Sequence, residues 1–164
     1  MNLPSGYETD TVARLEANLD DLSPEILGAV MGKLLAAGAL DVWFTPIHMK
    51  KDRPGVMLSA LCEESALSPI ADLFFTETST FGLRVERVIR LKLERRFETV
   101  QTEFGQVTIK LGLKAGRVVQ ASPEFESCRA VAEQSGKPLK EIYAAAMEGW
   151  GRSRGIGIEE RLLG

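Results

Sequence analysis

The sequence holds a single histidine, His48, and only two cysteines, Cys62 and Cys128, among its 164 residues. No CxxC, HxH or HExxH pair occurs, so a structural zinc site, a zinc hydrolase and a Ser-His-Asp triad are not expected. The two cysteines lie in segments that read as a buried strand and an amphipathic helix, which suits a reducing cytosol rather than a disulfide framework. No uncharged, proline-free run approaches the ~20 residues that cross a bilayer, and Met1 to Asp10 lacks a basic, apolar leader. A cytoplasmic protein without membrane contact is therefore expected. Aromatic residues make up only 7%, and 20 Lys+Arg against 23 Asp+Glu leave a net charge of −3. Neither suits a nucleic-acid binder. With 45% apolar and 26% charged residues, a globular fold is expected whose chemistry rests on carboxylates, Lys/Arg and hydroxyls. A chain of this length buries roughly 70% of the surface its unfolded form exposes, enough for one large core or two small ones.

Period-two alternation opens the chain. Ala13, Leu15, Ala17 and Leu19 oppose Arg14, Glu16, Asn18 and Asp20, which predicts a strand from Val12 to Asp20 with one core face. A helix is expected next, with Ser23 as N-cap, Pro24 at N1, Glu25 in the first turn and an apolar stripe ending near Gly38. Leu40 to Met49 and Val56 to Cys62 read as hairpin strands around the charged loop 50–55. Leu67, Ile70, Phe74 and Phe75 fall at helical spacing, and Leu83 to Phe97 alternates as one long strand that is polar on one side. The order strand, helix, strand, strand, helix, strand predicts an α+β fold: a ferredoxin-like βαββαβ subdomain over residues 11–97. Three short strands (99–104, 106–113 and 117–121) and two helices predict a smaller βββαα subdomain over 98–150. The first of these helices is expected to be capped by Ser122 with Pro123 at N1 and Phe125 inward, and the second to start at Pro138. Residues 151–164 are expected to be a mobile tail.

Three clusters can carry chemistry. Glu16, Asn18 and Asp20 share one strand face, and Asp21 follows in the turn before the capped helix; oxygen donors there suit Mg²⁺ or Mn²⁺ held jointly with phosphates. The alternative is compensation of the helix dipole by Asp20, Asp21 and Glu25. Lys50, Lys51 and Arg53 place three cations in four residues before Pro54-Gly55, suited to phosphate oxygens, or else form a solvated hairpin tip. Thr78, Ser79, Thr80 and Arg84, around Phe81-Gly82-Leu83, crowd hydroxyls where a helix hands over to a strand; they can complete a phosphate or ribose pocket, or serve as a C-cap and turn. In a split βαβ sheet these segments can converge on one groove. Residues 84–96 also carry six cations against two acids, a pattern read as a solvated or subunit-facing strand, with RNA binding a weaker alternative. His48 reads as a partly buried strand residue.

Taken together, the segments 16–25 (EANLDDLSPE), 36–55 (AAGALDVWFTPIHMKKDRPG) and 78–84 (TSTFGLR) closely resemble the C-terminal region of the LarC-type nickel insertion proteins, and PEFESC at 123–128 and GKPL at 136–139 extend the likeness. The resemblance implies a nickel chelatase or cyclometallase. Its reaction is CTP-dependent insertion of nickel, as substrate, into a pyridinium bis-thiocarboxylate mononucleotide, with Mn²⁺ or Mg²⁺ required, completing the nickel-pincer cofactor of lactate racemase. It also implies CTP binding and homo-oligomer formation, as trimer or hexamer, by this region. The partner expected is an N-terminal domain or separately encoded half, which supplies the nickel ligands. Carried onto this chain, Asp20 and Asp21, and after them Glu16 and Asn18, are expected metal or ribose contacts. Lys50, Lys51 and Arg53 are expected triphosphate clamps, and Thr78, Ser79, Thr80 and Arg84 line the pocket. The competing expectation is a non-enzymatic ferredoxin-like module for small-ligand binding and assembly.

Overall fold

In the computed structural model, which describes residues 3–154, the residues Ala13, Leu15, Ala17 and Leu19 of strand β1 (Glu8–Leu19) are all buried, as the alternation requires. Helix α1 (Pro24–Ala36) follows. Ser23 is extended and its Oγ accepts a hydrogen bond from the Ile26 amide at 3.4 Å, Pro24 sits at the N-terminus, and Glu25 and Lys33 match the dipole at the two ends. Strands β2 (Asp41–Met49) and β3 (Arg53–Cys62) form a tight hairpin, a short 3₁₀ turn leads into α2 (Leu67–Glu77), and β4 (Arg84–Lys92) completes a sheet of order β2-β3-β1-β4. β3 runs antiparallel to both β1 and β2. This is the ferredoxin-like arrangement. Val30 and Leu34 of α1 and Ile70 and Phe74 of α2 close the core over Leu15, Leu58 and Ala60. Each fully buried large side chain contributes roughly 1.5–3 kcal/mol.

The chain divides into two units, one formed by Thr9–Leu91 and the other joining the residues before Thr9 to those after Leu91. In the latter, β5 (Glu94–Thr102), β6 (Gly105–Lys114) and β7 (Arg117–Pro123) form an antiparallel sheet, and α3 (Phe125–Ser135) and α4 (Leu139–Ser153) supply the helices of its core. Val107, Ile109, Leu111, Cys128 and Ile142 are its buried centre. The N-terminal residues belong to this unit: Lys114 Nζ lies 4.6 Å from the Tyr7 ring centroid.

Several expectations are corrected. The run from Leu83 to Phe97 is two strands in different sheets, parting at Leu93, so the unit boundary falls at Leu91 rather than Phe97. The apolar positions Val85, Ile89, Leu91 and Phe97 are exposed rather than core-facing, and Leu93, at the break, packs against Gly112, where an added Cβ would meet Leu93 Cδ1 at 2.6 Å. Pro123 ends β7, paired with Ile109, and leaves Glu124 as the α3 N-cap; β7 is an edge strand, where the missing amide is tolerated. Phe125 is accordingly exposed, and Pro138 is an N-cap rather than the first helical residue. β3 begins at Arg53, so only three residues link the hairpin strands. The expected tail begins inside α4, which continues to Ser153 with Gly151 buried; residues 155–164 lie outside the described residues.

Candidate functional site

The end of β1, the β2–β3 turn and the α2–β4 connection meet within the unit Thr9–Leu91. Leu19 pairs with Val56, which sets Asp20 beside the first residues of β3. Arg53 Nη1 donates to Asp20 Oδ2 at 3.1 Å, joining the acidic and basic clusters directly. Gly55 makes that approach possible: a Cβ there would lie 2.6 Å from the Leu19 carbonyl oxygen and 3.4 Å from Asp20 Cβ. Ser79 Oγ donates to Asp21 Oδ1, which brings in the third cluster.

Each carboxylate has a different surrounding. Asp20 and Asp21 each engage one oxygen with their protein partner, and the second oxygen of each has no partner among the described residues. Glu16 is held at both oxygens, with Oε1 3.4 Å from Arg14 Nε and Oε2 3.5 Å from Arg84 Nε. Arg84 Nη2 donates to Asn18 Oδ1 at 2.9 Å, and Arg14 Nη2 donates to Glu86 Oε2 at 2.6 Å. Glu16, Asn18 and Arg84 thus belong to a charge lattice along β1 and β4, one step away from Asp20 and Asp21. Among the described residues, no three His, Cys, Asp or Glu side chains gather into a metal-holding group.

The hydroxyls also divide. Thr78 Oγ1 donates to the Phe74 carbonyl at 2.6 Å and accepts from the Thr80 amide, while Thr80 Oγ1 donates to the Gly82 carbonyl, so both shape the helix end and the turn. Ser79 alone of the three reaches another cluster. In the basic turn, Lys50 and Lys51 are exposed and make no ion pair among the described residues. Lys51 and Asp52 are left-handed, at φ 63° and 57°, and Asp52 Oδ1 lies 3.2 Å from His48 Nδ1. His48 is therefore an exposed turn-facing residue rather than a partly buried one. Its pairing with Asp52, and the roles of Arg14 and Glu86, were not visible as sequence motifs; only the hairpin register and the adjacency of β1 to β4 create them.

The strand cations behave oppositely. Arg87 is forked onto Glu64 at 2.7 and 3.2 Å, and Arg90 onto Asp10 at 2.7 and 2.9 Å. The hydrogen bond from Arg87 holds the Glu64 carboxyl below its usual range. Burial is the main cause that pushes the Cys62 and Cys128 thiols up, away from the reactive thiolate range.

Comparison with known proteins bears on the same segments. The family model described as "Nickel insertion protein" matches residues 2–143. A Myxococcus xanthus protein named as a nickel insertion protein is 50% identical over 137 residues, covering 84% of this chain and 35% of that relative. A Thermotoga sp. protein named pyridinium-3,5-bisthiocarboxylic acid mononucleotide nickel insertion protein is 44% identical over 131 residues, covering 80% of this chain and 33% of its own length. The chain therefore spans about a third of the length of these curated relatives. A solved apo structure superposes with a TM-score of 0.81 at 39% identity, covering 87% of this chain and 99% of that one. It is described as the C-terminal domain of a cyclometallase involved in the synthesis of the NPN cofactor of lactate racemase.

Proposed function

Given that this chain belongs to the nickel insertion protein family, we propose that it is the CTP-binding and oligomerising module of a cyclometallase that inserts nickel into a pyridinium bis-thiocarboxylate mononucleotide. The observation that carries this reading is the meeting of three segments at one end of the four-stranded sheet, joined through Arg53–Asp20 and Ser79–Asp21, with Lys50 and Lys51 beside them making no ion pair among the described residues. Lys50 and Lys51 grip the triphosphate as point charges, and Arg53, held on Asp20 through Nη1, adds its remaining N–H groups.

The donors present fit a hard divalent ion. Asp20 and Asp21 each offer one carboxylate oxygen with no partner among the described residues, and Mg²⁺ or Mn²⁺ is commonly bound by one or two carboxylates plus substrate phosphates. Glu16 and Asn18, already engaged by arginines, support the site from behind and do not ligate. When bound with the nucleotide, the ion offsets phosphate charge. The chain's own residues orient that complex: Ser79 fixes the Asp21 rotamer, Arg53 fixes Asp20, and the two lysines neutralise the outer phosphate oxygens.

The module works in the cytoplasm with the further two-thirds of sequence that its relatives carry, and that portion supplies the nickel ligands. Copies of the module assemble as a trimer or hexamer, and neither membrane nor nucleic acid is a partner. Calorimetric titration with CTP, ATP and GTP, each with and without Mn²⁺, tests the reading. Metal-dependent preference for CTP is expected; absence of any nucleotide binding would instead leave a non-enzymatic assembly module.

A further inference from the structure

Asp52 is the one acid inside the basic turn, adjacent in sequence to Lys51 and Arg53 and two residues from Lys50. Unrestrained, an exposed carboxylate so placed neutralises those lysines and repels a phosphate. Its side chain is 94% exposed, so burial does not hold it, and Arg53 is turned toward Asp20 instead. What holds it is His48, whose Nδ1 lies 3.2 Å from Asp52 Oδ1. That contact is a product of the turn. Four residues of extended strand would separate the two by about 13 Å, but the left-handed backbone at Lys51 and Asp52 folds Asp52 back over the end of β2. Asp and Asn tolerate that conformation better than most residues.

We propose that His48 is a positioning residue of the phosphate-gripping turn: it holds the Asp52 carboxylate away from Lys50 and Lys51 and so keeps both lysines open to an anion. The inference rests on the reading of the turn as a phosphate clamp. The 3.2 Å contact is an ion pair when the imidazole carries its second proton and a weaker polar contact when it does not. His48 itself touches no ligand in this scheme. Its effect on binding runs entirely through Asp52, and that makes it separable from direct contact.

The test is a set of titrations of the full chain with inorganic triphosphate and with CTP plus Mn²⁺. His48→Ala weakens both by roughly two- to fivefold, the size of an exposed ion pair. Asp52→Asn, which keeps a residue suited to the left-handed turn but removes the charge, binds at least as tightly as wild type. The double variant His48→Ala/Asp52→Asn recovers wild-type affinity, which also shows that loss of the imidazole does not unfold the turn. Unchanged affinity in His48→Ala overturns the proposal, as does a double variant that stays as weak as His48→Ala. If Lys50→Ala/Lys51→Ala retains full affinity, the clamp reading itself fails, whatever His48 does.

Discussion

The β2–β3 turn and strand β4 are both rich in cations and belong to the same unit, yet they differ in what their charges meet. Every arginine of β4 has a polar or acidic partner: Arg84 meets Asn18 and Glu16, Arg87 meets Glu64, and Arg90 meets Asp10. The turn sends Arg53 to Asp20 and Asp52 to His48, and leaves Lys50 and Lys51 to solvent. Charge density along the sequence is similar in the two; of their cations, those without an ion pair among the described residues are in the turn. A polyanion gains most where cations are not already paired, which is why the proposed phosphate clamp is placed on the turn and not on β4.

The largest expected effect separates the two regions. Reversing Lys50, Lys51 and Arg53 to glutamate lowers affinity for CTP with Mn²⁺ by at least about a hundredfold, since charge-assisted contacts are worth roughly 1.5–3 kcal/mol each. The paired replacement Arg87→Ala/Arg90→Ala in β4 leaves the affinity within about twofold, the lower end of exposed ion-pair effects. Equal losses in the two, measured by calorimetry, would erase the distinction.

Next in size is Gly55→Ala. The added Cβ collides with the Leu19 backbone carbonyl, so the hairpin must shift away from β1, at a cost of about 1–3 kcal/mol of stability by urea unfolding. Because the same approach seats Arg53 against Asp20, nucleotide affinity falls with it. A stable variant with full affinity would mean that the turn does not need β1.

Arg84→Ala sharpens the comparison further, for Arg84 is the one β4 cation within the converging segments. With its charge already shared between Asn18 and Glu16, its removal changes affinity by less than about threefold and costs under about 1 kcal/mol. A tenfold loss would move Arg84 from the lattice into the clamp.

The smallest effect is on acid stability. Arg87 holds Glu64 below its usual pKa, so the folded state binds a proton there less readily than the unfolded chain. The stabilisation is therefore present above the unfolded value, near 4.5, and is lost as pH falls through the lower folded value. Glu64→Gln flattens that acid limb in thermal melts recorded between neutral pH and pH 3. No comparable change is expected from Lys50→Ala/Lys51→Ala, whose side chains have no carboxylate partner among the described residues.

Much of this architecture was legible in the sequence because it is written in local grammar. Ser23-Pro24-Glu25 announces the start of α1, the alternation of residues 13–19 gives the buried face of β1, and the element order implies the sheet order. The break at Leu93 was hidden, since a period of two does not report which sheet a residue joins. The docking of Tyr7 beneath Lys114 is a long-range contact with no motif of its own. For the candidate site, the three segments could be named from residue chemistry, but their division of labour could not. Whether an arginine is free or neutralised depends on which carboxylate the fold sets beside it, as strand neighbour Glu86 is set beside Arg14 and Glu64, from the turn before α2, beside Arg87. Likewise, nothing in the string HMKKD distinguishes an acid that quenches its lysine neighbours from one folded back onto His48.

The most direct measurement is an amide-resolved NMR titration of the chain with CTP and Mg²⁺, repeated with a trace of Mn²⁺. Shifts are expected at Asp20 and Asp21, along the turn from Lys50 to Gly55 and at Thr78 to Thr80, with Mn²⁺ broadening strongest at Asp20 and Asp21. Shifts centred on Arg87 to Lys92, or none at residues 50–55, would contradict the assignment of the nucleotide to the unneutralised turn.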